Sequence, residues 1–443
     1  MLYFIETYGC QMNKAESAAL ERQLVEHGWK AAQDAGTADL VLINTCSVRI
    51  TAENRAWGRI NYYASLKRAR PFYLMVTGCM AERLKADMRI RQPAVDYVLG
   101  NFQKQSFGLA LDAMVQGKRL EVIEESPSYA FAPSHLEPGA FRSFLPIMHG
   151  CDNFCTYCIV PYVRGRETSR DPQAILGELD DLAAAGIREV TLLGQNVNSY
   201  RWSGGGADMD FPTLLETCAR RVEGSSIRRL RFLSSHPKDL SDRTMDVLAA
   251  YPVFGKHIHL CAQHGSNRVL KAMNRRYTRE YYLGLVQKLR SRIPDLSLST
   301  DILIGFPGET EEDVELTLEL MREVRFAYSF MYHFNPREGT PAAVMDGALP
   351  DAVKKERLAR VIALQKTITR ELMASLVGTE ADVLVEGVSK KREGELLARS
   401  DLDMMVVFPG EPSLIGQFAK VRLDSLRGVT FKGTMVPGDH SAQ

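Results

Sequence analysis

Cys151, Cys155 and Cys158 stand in the string Cys151-Asp152-Asn153-Phe154-Cys155-Thr156-Tyr157-Cys158, a C-x3-C-x2-C spacing. Three thiolates this close cannot all face one way from a regular helix or strand; they fit a loop wrapped round a metal centre. A structural zinc site closes with four ligands, and His149 is the only close imidazole. Three readings follow: a three-cysteine site for a four-iron cluster with one iron open, a zinc knuckle completed by His149, or unrelated loop thiols. Cys10, Cys46 and Cys79 form a second set. Each follows a short apolar run (Tyr3 to Glu6, Leu40 to Ile43, Phe72 to Val76), and they recur about one βα repeat apart. Parallel strands end on one sheet edge, where ligands collect, so these thiols can converge. Gly9 and Gly78 would let the backbone approach a bulky group. The alternative is three unrelated core cysteines. Cys218 and Cys261 read as packing residues.

The elements that must position these residues are legible as patterns. Over roughly the first 125 residues apolar runs alternate with helical stretches such as Glu16 to His27, with Gly28 suited to the helix end. A further run spans Val95 to Leu99. Three proline-containing strings between Ser126 and Gly139 read as a linker. The alternation then resumes with strand candidates Leu145 to Met148, Glu189 to Leu193, Leu230 to Leu233, His257 to Leu260, Leu298 to Ile304 and Phe330 to Phe334. Six βα units in this length suggest a partial barrel, since eight usually take ~250 residues. The C-x3-C-x2-C loop follows the first barrel strand, on the face where barrels place chemistry. Pro350 to Leu376 is one amphipathic helix pattern stopped by Gly378, and alternation after it marks a small all-β module. The expected fold class is α/β. It comprises a parallel-sheet αβ domain (residues 1–120), a linker (121–140), a partial (β/α)6 barrel with its long helix (141–377) and the β module (378–441).

Composition narrows the function classes. The chain has 443 residues, 45% hydrophobic and 25% charged, with a formal net charge of +1. That excludes a globally basic nucleic-acid clamp but not a local basic patch. No apolar run reaches the ~18 residues of a membrane helix, and the N-terminus has no signal-peptide pattern. The expectation is a cytosolic protein without membrane association, where a disulfide framework is not expected. No G-x4-G-K-[ST] string supports ATP hydrolysis, and Gly204-Gly205-Gly206 reads as an isolated loop because no strand runs into it.

On a barrel loop, C-x3-C-x2-C resembles the radical S-adenosylmethionine (SAM) superfamily. Both cysteine sets, in this order and followed by a small β module, resemble its methylthiotransferases over residues 1 to 438. Gly9-Cys10-Gln11-Met12-Asn13 is similar to the MiaB-type branch, which acts on tRNA. Val160 to Gly165, Leu193 to Asn198 and Ile304 to Thr310 also look like this family. The resemblance implies two [4Fe-4S] clusters, an auxiliary one on Cys10, Cys46 and Cys79 and a SAM-cleaving one on Cys151, Cys155 and Cys158, with a C-terminal TRAM domain. It implies 2-methylthiolation of N6-isopentenyladenosine, the base just 3′ of the tRNA anticodon, with SAM as methyl donor and as source of a 5′-deoxyadenosyl radical. C2 of adenine carries an unactivated C–H bond, so the cofactor does the hard chemistry and no protein base is named.

Expected partners are the tRNA anticodon stem-loop, an electron donor such as flavodoxin or ferredoxin, and iron–sulfur assembly or sulfur carrier proteins; the chain is read as a monomer. Polar residues at barrel strand ends are the candidate SAM contacts: Gln195 and Asp301 lead, with Asn196, Ser235, His236 and Gln263 behind. RNA contacts are sought among Arg49, Arg55, Arg59, Lys67, Arg68, Arg70, Arg164, Arg166, Arg170, Lys390, Lys391, Arg392 and Arg427. One stretch departs from the family, which often has Pro and Val in place of Cys261 and Ala262, and Ser in place of His264. Two other functions compete. One keeps the chemistry and changes the target to threonylcarbamoyl-adenosine tRNA or a ribosomal protein, against which Gln11-Met12-Asn13 argues. The other is a non-catalytic iron–sulfur RNA-binding or redox-sensing protein.

Overall fold

The computed structural model describes residues 1–48, 50–120, 124–126, 129–204, 207–390 and 392–437. The N-terminal strands Leu2–Thr7, Leu40–Thr45, Tyr73–Gly78 and Tyr97–Leu99 pair in that order, all parallel, with the short strand Lys30–Ala31 at the edge. Leu40–Thr45 is buried along its whole length. That suits a central parallel strand with both faces covered. Ala56, Ile60 and Tyr63 from the helix Ile50–Leu66 cover one face, and Leu20 and Leu24 from the helix Gln11–Glu26 cover the other.

Six parallel strands build the second unit: Arg142–Pro146, Glu189–Leu193, Arg229–Phe232, His257–His259, Ser297–Ile304 and Tyr328–His333. The first three and the last three form separate ladders, joined by isolated parallel bridges at Leu230–Phe254 and Ser235–Leu260. The expected partial barrel is therefore present, with strand order following chain order. Its wall is filled by Leu145, Val190, Leu192, Leu230, Ile258, Leu298 and Ile302, all buried.

The helix Asp351–Ser375 packs against the last strand, where Gln365 donates to Phe326 O at 2.7 Å and Thr369 to Ala327 O at 2.8 Å. Five strands between Glu380 and Met435 then close into a barrel. Buried arginines of the six-stranded unit hold this small barrel by its backbone. Arg229 donates to the carbonyls of Asp382 and Arg399, and Arg231 to those of Ser400 and Asp401, while Glu189 stands beside both.

Two local expectations need correction. The first helix begins at Gln11, not Glu16, with Cys10 as its N-cap. A strand, Arg201–Gly204, does run into the triple glycine and pairs with Ala207–Asp210 in a hairpin. Its few residues showed no apolar alternation; Gly205 and Gly206 lie outside the described residues. No described helix is long and apolar enough to cross a membrane.

Candidate metal-cluster site

Each N-terminal cysteine follows the C-terminal end of a parallel strand. Cys10 caps the first helix, Cys46 follows Leu40–Thr45, and Cys79 opens the short helix Cys79–Leu84. Gly9 (φ +150°) and Gly78 (φ +91°) make these approaches possible. A Cβ on Gly9 would stand 2.9 Å from Cys46 Cβ, and one on Gly78 2.9 Å from Thr45 N. Asn13 ties the set together. Its Oδ1 accepts from Cys10 N at 3.3 Å, while its Nδ2 donates to Asn44 Oδ1 at 3.0 Å and to Thr45 O at 3.1 Å, beside Cys46.

The second set sits on a loop clamped from the far side of the barrel. Asn274 Nδ2 donates to the carbonyls of Asn153 and Phe154, and Thr156 N to Met273 O. Arg275, buried, directs Nη1 at Cys155 Sγ at 3.4 Å and Nη2 at Cys261 O at 2.8 Å. Gln195 Oε1 accepts from Gly150 N at 2.6 Å and so holds the backbone that enters the loop.

The two sets face one mouth. The helix Val160–Arg164 begins two residues after Cys158, and its Val163 packs with Ile159 against Cys79. Asn101 Nδ2 lies 3.9 Å from Cys79 Sγ and donates to Val163 O at 2.7 Å. Cys10 packs against the buried cluster of Met12, Ala15 and Leu193, which Phe144 and Leu233 also join; Phe144, Leu193 and Leu233 lie on or beside the first three barrel strands.

The donor chemistry suits a metal centre. Burial pushes the Cys79 thiol up; it raises Cys151 to about 11 and, with Cys155 beside it, Cys158 to about 12. Buried thiols held together stay protonated unless a cationic centre takes them as thiolates. Among the described residues, His259, Cys261 and Asp301 are the set whose ligand atoms all lie within 4.8 Å of one another. His149, the fourth ligand of the zinc alternative, stacks on Tyr129 at 3.5 Å between centroids, with Nδ1 3.3 Å from Arg164 Nη1. Burial holds its imidazole well below its ordinary pKa.

Three family models match the chain: the radical SAM superfamily over residues 145–321, an uncharacterized protein family designated UPF0004 over 2–100, and the TRAM domain over 374–436. The tRNA-2-methylthio-N(6)-dimethylallyladenosine synthase of Treponema denticola is 49% identical, covering 98% of this chain and 100% of its own. The synthase of the same name from Carboxydothermus hydrogenoformans is 43% identical over 98% of this chain and 99% of its own. The chain belongs to the radical SAM methylthiotransferases. A radical SAM methyltransferase from Kitasatospora setae, solved with cobalamin and a [4Fe-4S] cluster, matches this methylthiotransferase with a TM-score of 0.61 at 16% identity over 77% of each chain. At that identity the likeness is one of fold.

The basic residues expected on RNA are mostly engaged within the methylthiotransferase itself. Arg164 is 3% exposed and pairs with Glu16 at 2.7 Å; Arg170 is 6% exposed and pairs with Glu178 at 2.6 Å. These two are interior groups, not RNA contacts. Each lies buried against a carboxylate, the pairing a charge taken out of water needs. Arg59 pairs with Glu6, Lys67 with Asp96, Arg166 with Asp152 and Arg392 with Glu395, and Arg70 donates to Ala38 O. Arg55, Arg68, Lys390 and Arg427 are exposed; Arg49 and Lys391 lie outside the described residues.

The remaining strand-end candidates divide. Asn196 is spent on Asp239 and on His236 N, and Ser235 and His236 are buried. Gln263 is buried at φ +66°, its backbone paired with the fifth barrel strand. Asp301 stands at the mouth, 3.3 Å from His259 and 3.4 Å from Cys261. The departures at Cys261 and His264 have separate consequences. His264 is buried against Glu309 at 3.1 Å, and Glu309 also holds Arg357 at 2.9 Å and accepts from Gly305 N at 2.8 Å. This departure belongs to the turn of the Gly305-to-Thr310 string. Sequence reasoning missed Arg275, because no motif spacing connects it with Cys155, 120 positions away.

Proposed function

We infer that this chain transfers a methylthio group to C2 of N6-isopentenyladenosine beside the tRNA anticodon. The observation that carries this reading is the full-length identity to synthases named for that product, joined to two cysteine triads that face one barrel mouth. When bound, two [4Fe-4S] clusters and SAM supply what no side chain can: a methyl group, a sulfur and a 5′-deoxyadenosyl radical able to take hydrogen from C2.

Cys10, Cys46 and Cys79 would hold the auxiliary cluster, and Cys151, Cys155 and Cys158 the SAM-cleaving one. Asn13 sets the first triad by fixing Cys10 against the strand that delivers Cys46. Arg275 and Asn274 set the second by anchoring the loop to the opposite wall. Gln195 orients the loop entrance through Gly150, with its amide nitrogen as the proposed SAM contact. Asp301 is the second proposed contact at this mouth. Placing two reactive centres in register over one base is what rigid elements contribute to such a reaction. The exposed cations Arg55, Arg68, Lys390 and Arg427 are the proposed contacts with tRNA phosphates. We place the enzyme in the cytoplasm as a monomer, served by a flavodoxin- or ferredoxin-like electron donor and by iron–sulfur or sulfur carrier proteins. The proposed boundaries are residues 1–120, 141–377 and 378–441 around the linker 121–140.

Nucleoside mass spectrometry on tRNA from cells with and without the gene tests the reaction. The 2-methylthio nucleoside should vanish and its N6-isopentenyl precursor should accumulate. An unchanged pair would move the search to threonylcarbamoyl-adenosine or a ribosomal protein. Alanine at Cys151, Cys155 and Cys158 should abolish 5′-deoxyadenosine formation from SAM and dithionite. Alanine at Cys10, Cys46 and Cys79 should spare that product and abolish methylthiolation.

A further inference from the structure

We propose that Arg83 and Arg337 form a phosphate-binding cleft that takes a phosphodiester flanking the target adenosine. The proposal rests on the tRNA reading above and deepens it. The cleft has a volume of about 160 Å³, room for roughly five waters at ~30 Å³ each. Its lining comes from both cysteine triads. Ser47 follows Cys46, Arg83 lies on the helix that Cys79 opens, and Ile159 follows Cys158. Arg337 reaches the cleft from the segment after the sixth barrel strand, and its Nη2 donates to Val48 O at 3.0 Å. The cleft is therefore where the two triad-bearing units meet.

Its two guanidinium groups are unevenly paired. Arg83 is engaged by Glu53 and also donates from Nε to Ser47 Oγ at 3.4 Å. Arg337 has no carboxylate partner among the described residues, and of its N–H donors only the one on Val48 O is used there. Burial lowers the Arg337 pKa; Glu53 opposes this and Arg83 adds to it. A guanidinium does not shed its proton at ordinary pH, so an anion is what relieves it. Glu338 also lines the cleft, but it is exposed to solvent, where its charge is screened, and it forms no ion pair among the described residues. The substrate supplies the anion. An enzyme that acts on a base lifts it from its stack. A base whose C2 stands between the two triads brings its flanking phosphates with it, and this cleft borders both triads. Planar guanidinium forks suit phosphate oxygens. No sequence pattern joins Arg83 to Arg337, and the candidate cations read from the sequence left both out.

The test measures equilibrium binding of an anticodon stem-loop RNA carrying N6-isopentenyladenosine to the iron-loaded full chain across a salt series. Two further RNAs carry a neutral methylphosphonate in place of the phosphate 5′ or 3′ to that adenosine. Arg337→Gln and Arg83→Gln should each weaken binding about 10-fold or more. Each should also reduce the slope of log K against log salt by about 0.7–1. One of the two methylphosphonates should weaken wild-type binding by a similar factor and cost Arg337→Gln nothing further. Arg337→Lys keeps the charge and should recover the slope. Wild-type affinity and slope in Arg337→Gln would overturn the proposal. So would a lowered melting point with an unchanged slope, which marks a purely structural clasp between the two units. Losses from the variant and from each methylphosphonate that simply add would place the contact elsewhere on the RNA and overturn it too. Inorganic phosphate binding that Arg337→Gln abolishes, with RNA binding unchanged, would assign the cleft to a free anion and overturn its role on RNA. Wild-type protein that binds no RNA at all would sink the tRNA reading, and this site with it.

Discussion

Asn13 shows what a single side chain contributes to the cluster region. Its type was visible in the string around Cys10, but its work was not, because its partners Asn44 and Thr45 lie a full βα unit away. Replacing it with alanine leaves a buried amide and a buried carbonyl unsatisfied, at about 1–3 kcal/mol each. Asn13→Ala should therefore fold with a lowered melting point, lose iron from the N-terminal triad and still cleave SAM. Iron per chain and 5′-deoxyadenosine yield check this, and full iron with normal methylthiolation would refute it. Arg164 carries the opposite lesson. A sequence reader sees a cation after a cysteine loop and thinks of RNA; the fold buries it against Glu16, with Lys104 also 3.1 Å from that carboxylate. These cations hold the Glu16 carboxyl well below the usual range. Removing one member of such a buried set strands the others, at about 3–5 kcal/mol. Arg164→Met should lower the unfolding free energy from urea titration by that order, and Glu16→Gln in the same chain should recover part of the loss. Loss of tRNA affinity with unchanged stability would restore the RNA reading.

Strands and helices were legible wherever their period was strong. The barrel strand Glu189–Leu193 falls on the apolar run that marks it, and the helix Asp351–Ser375 on its stripe. The hairpin around the triple glycine escaped because Arg201–Gly204 and Ala207–Asp210 are short and polar. How the small C-terminal barrel is seated was equally hidden. Arg229 and Arg231 read as ordinary charges in a strand, yet they donate to carbonyls of Asp382, Arg399, Ser400 and Asp401. Side chain-to-backbone contacts of this kind leave no trace in the partner's sequence, since any residue offers a carbonyl. Arg231→Ala would remove two such bonds and leave Glu189 less well compensated. The expected outcome is faster proteolysis near Gly378 and weaker tRNA binding, with 5′-deoxyadenosine formation in the absence of tRNA unchanged. Unaltered proteolysis would mean that the strand pairing and the Arg142–Glu386 contact suffice to seat the module.

At the scale of the whole molecule, a near-neutral chain pairs many of its cations within itself, and five of its histidines, His149, His236, His257, His259 and His264, are buried. Burial lowers His236 to about 2 and His257 to about 3, and holds His149 well below its usual value. In the unfolded chain these rings titrate near 6.5. Below that pH the unfolded state binds protons that the folded state refuses, so stability is full above about 6.5 and falls as pH falls toward 3. The slope is about 1.4 kcal/mol per pH unit for each such ring. His259 runs the other way: the thiol and carboxylate beside it raise its pKa despite burial. Its contribution is full below 6.5 and is lost as pH rises through the folded value. Three rings against one leave the balance with acid destabilisation, and the lowered carboxyls of Glu16 and Asp313 add to it below about 4.5. Urea midpoints on samples of constant iron content should therefore drop steadily from pH 7 to pH 5. His257→Gln should make that slope shallower. A flat profile over this range, or an unchanged slope in His257→Gln, would show that these rings are protonated in the folded chain and that water reaches them.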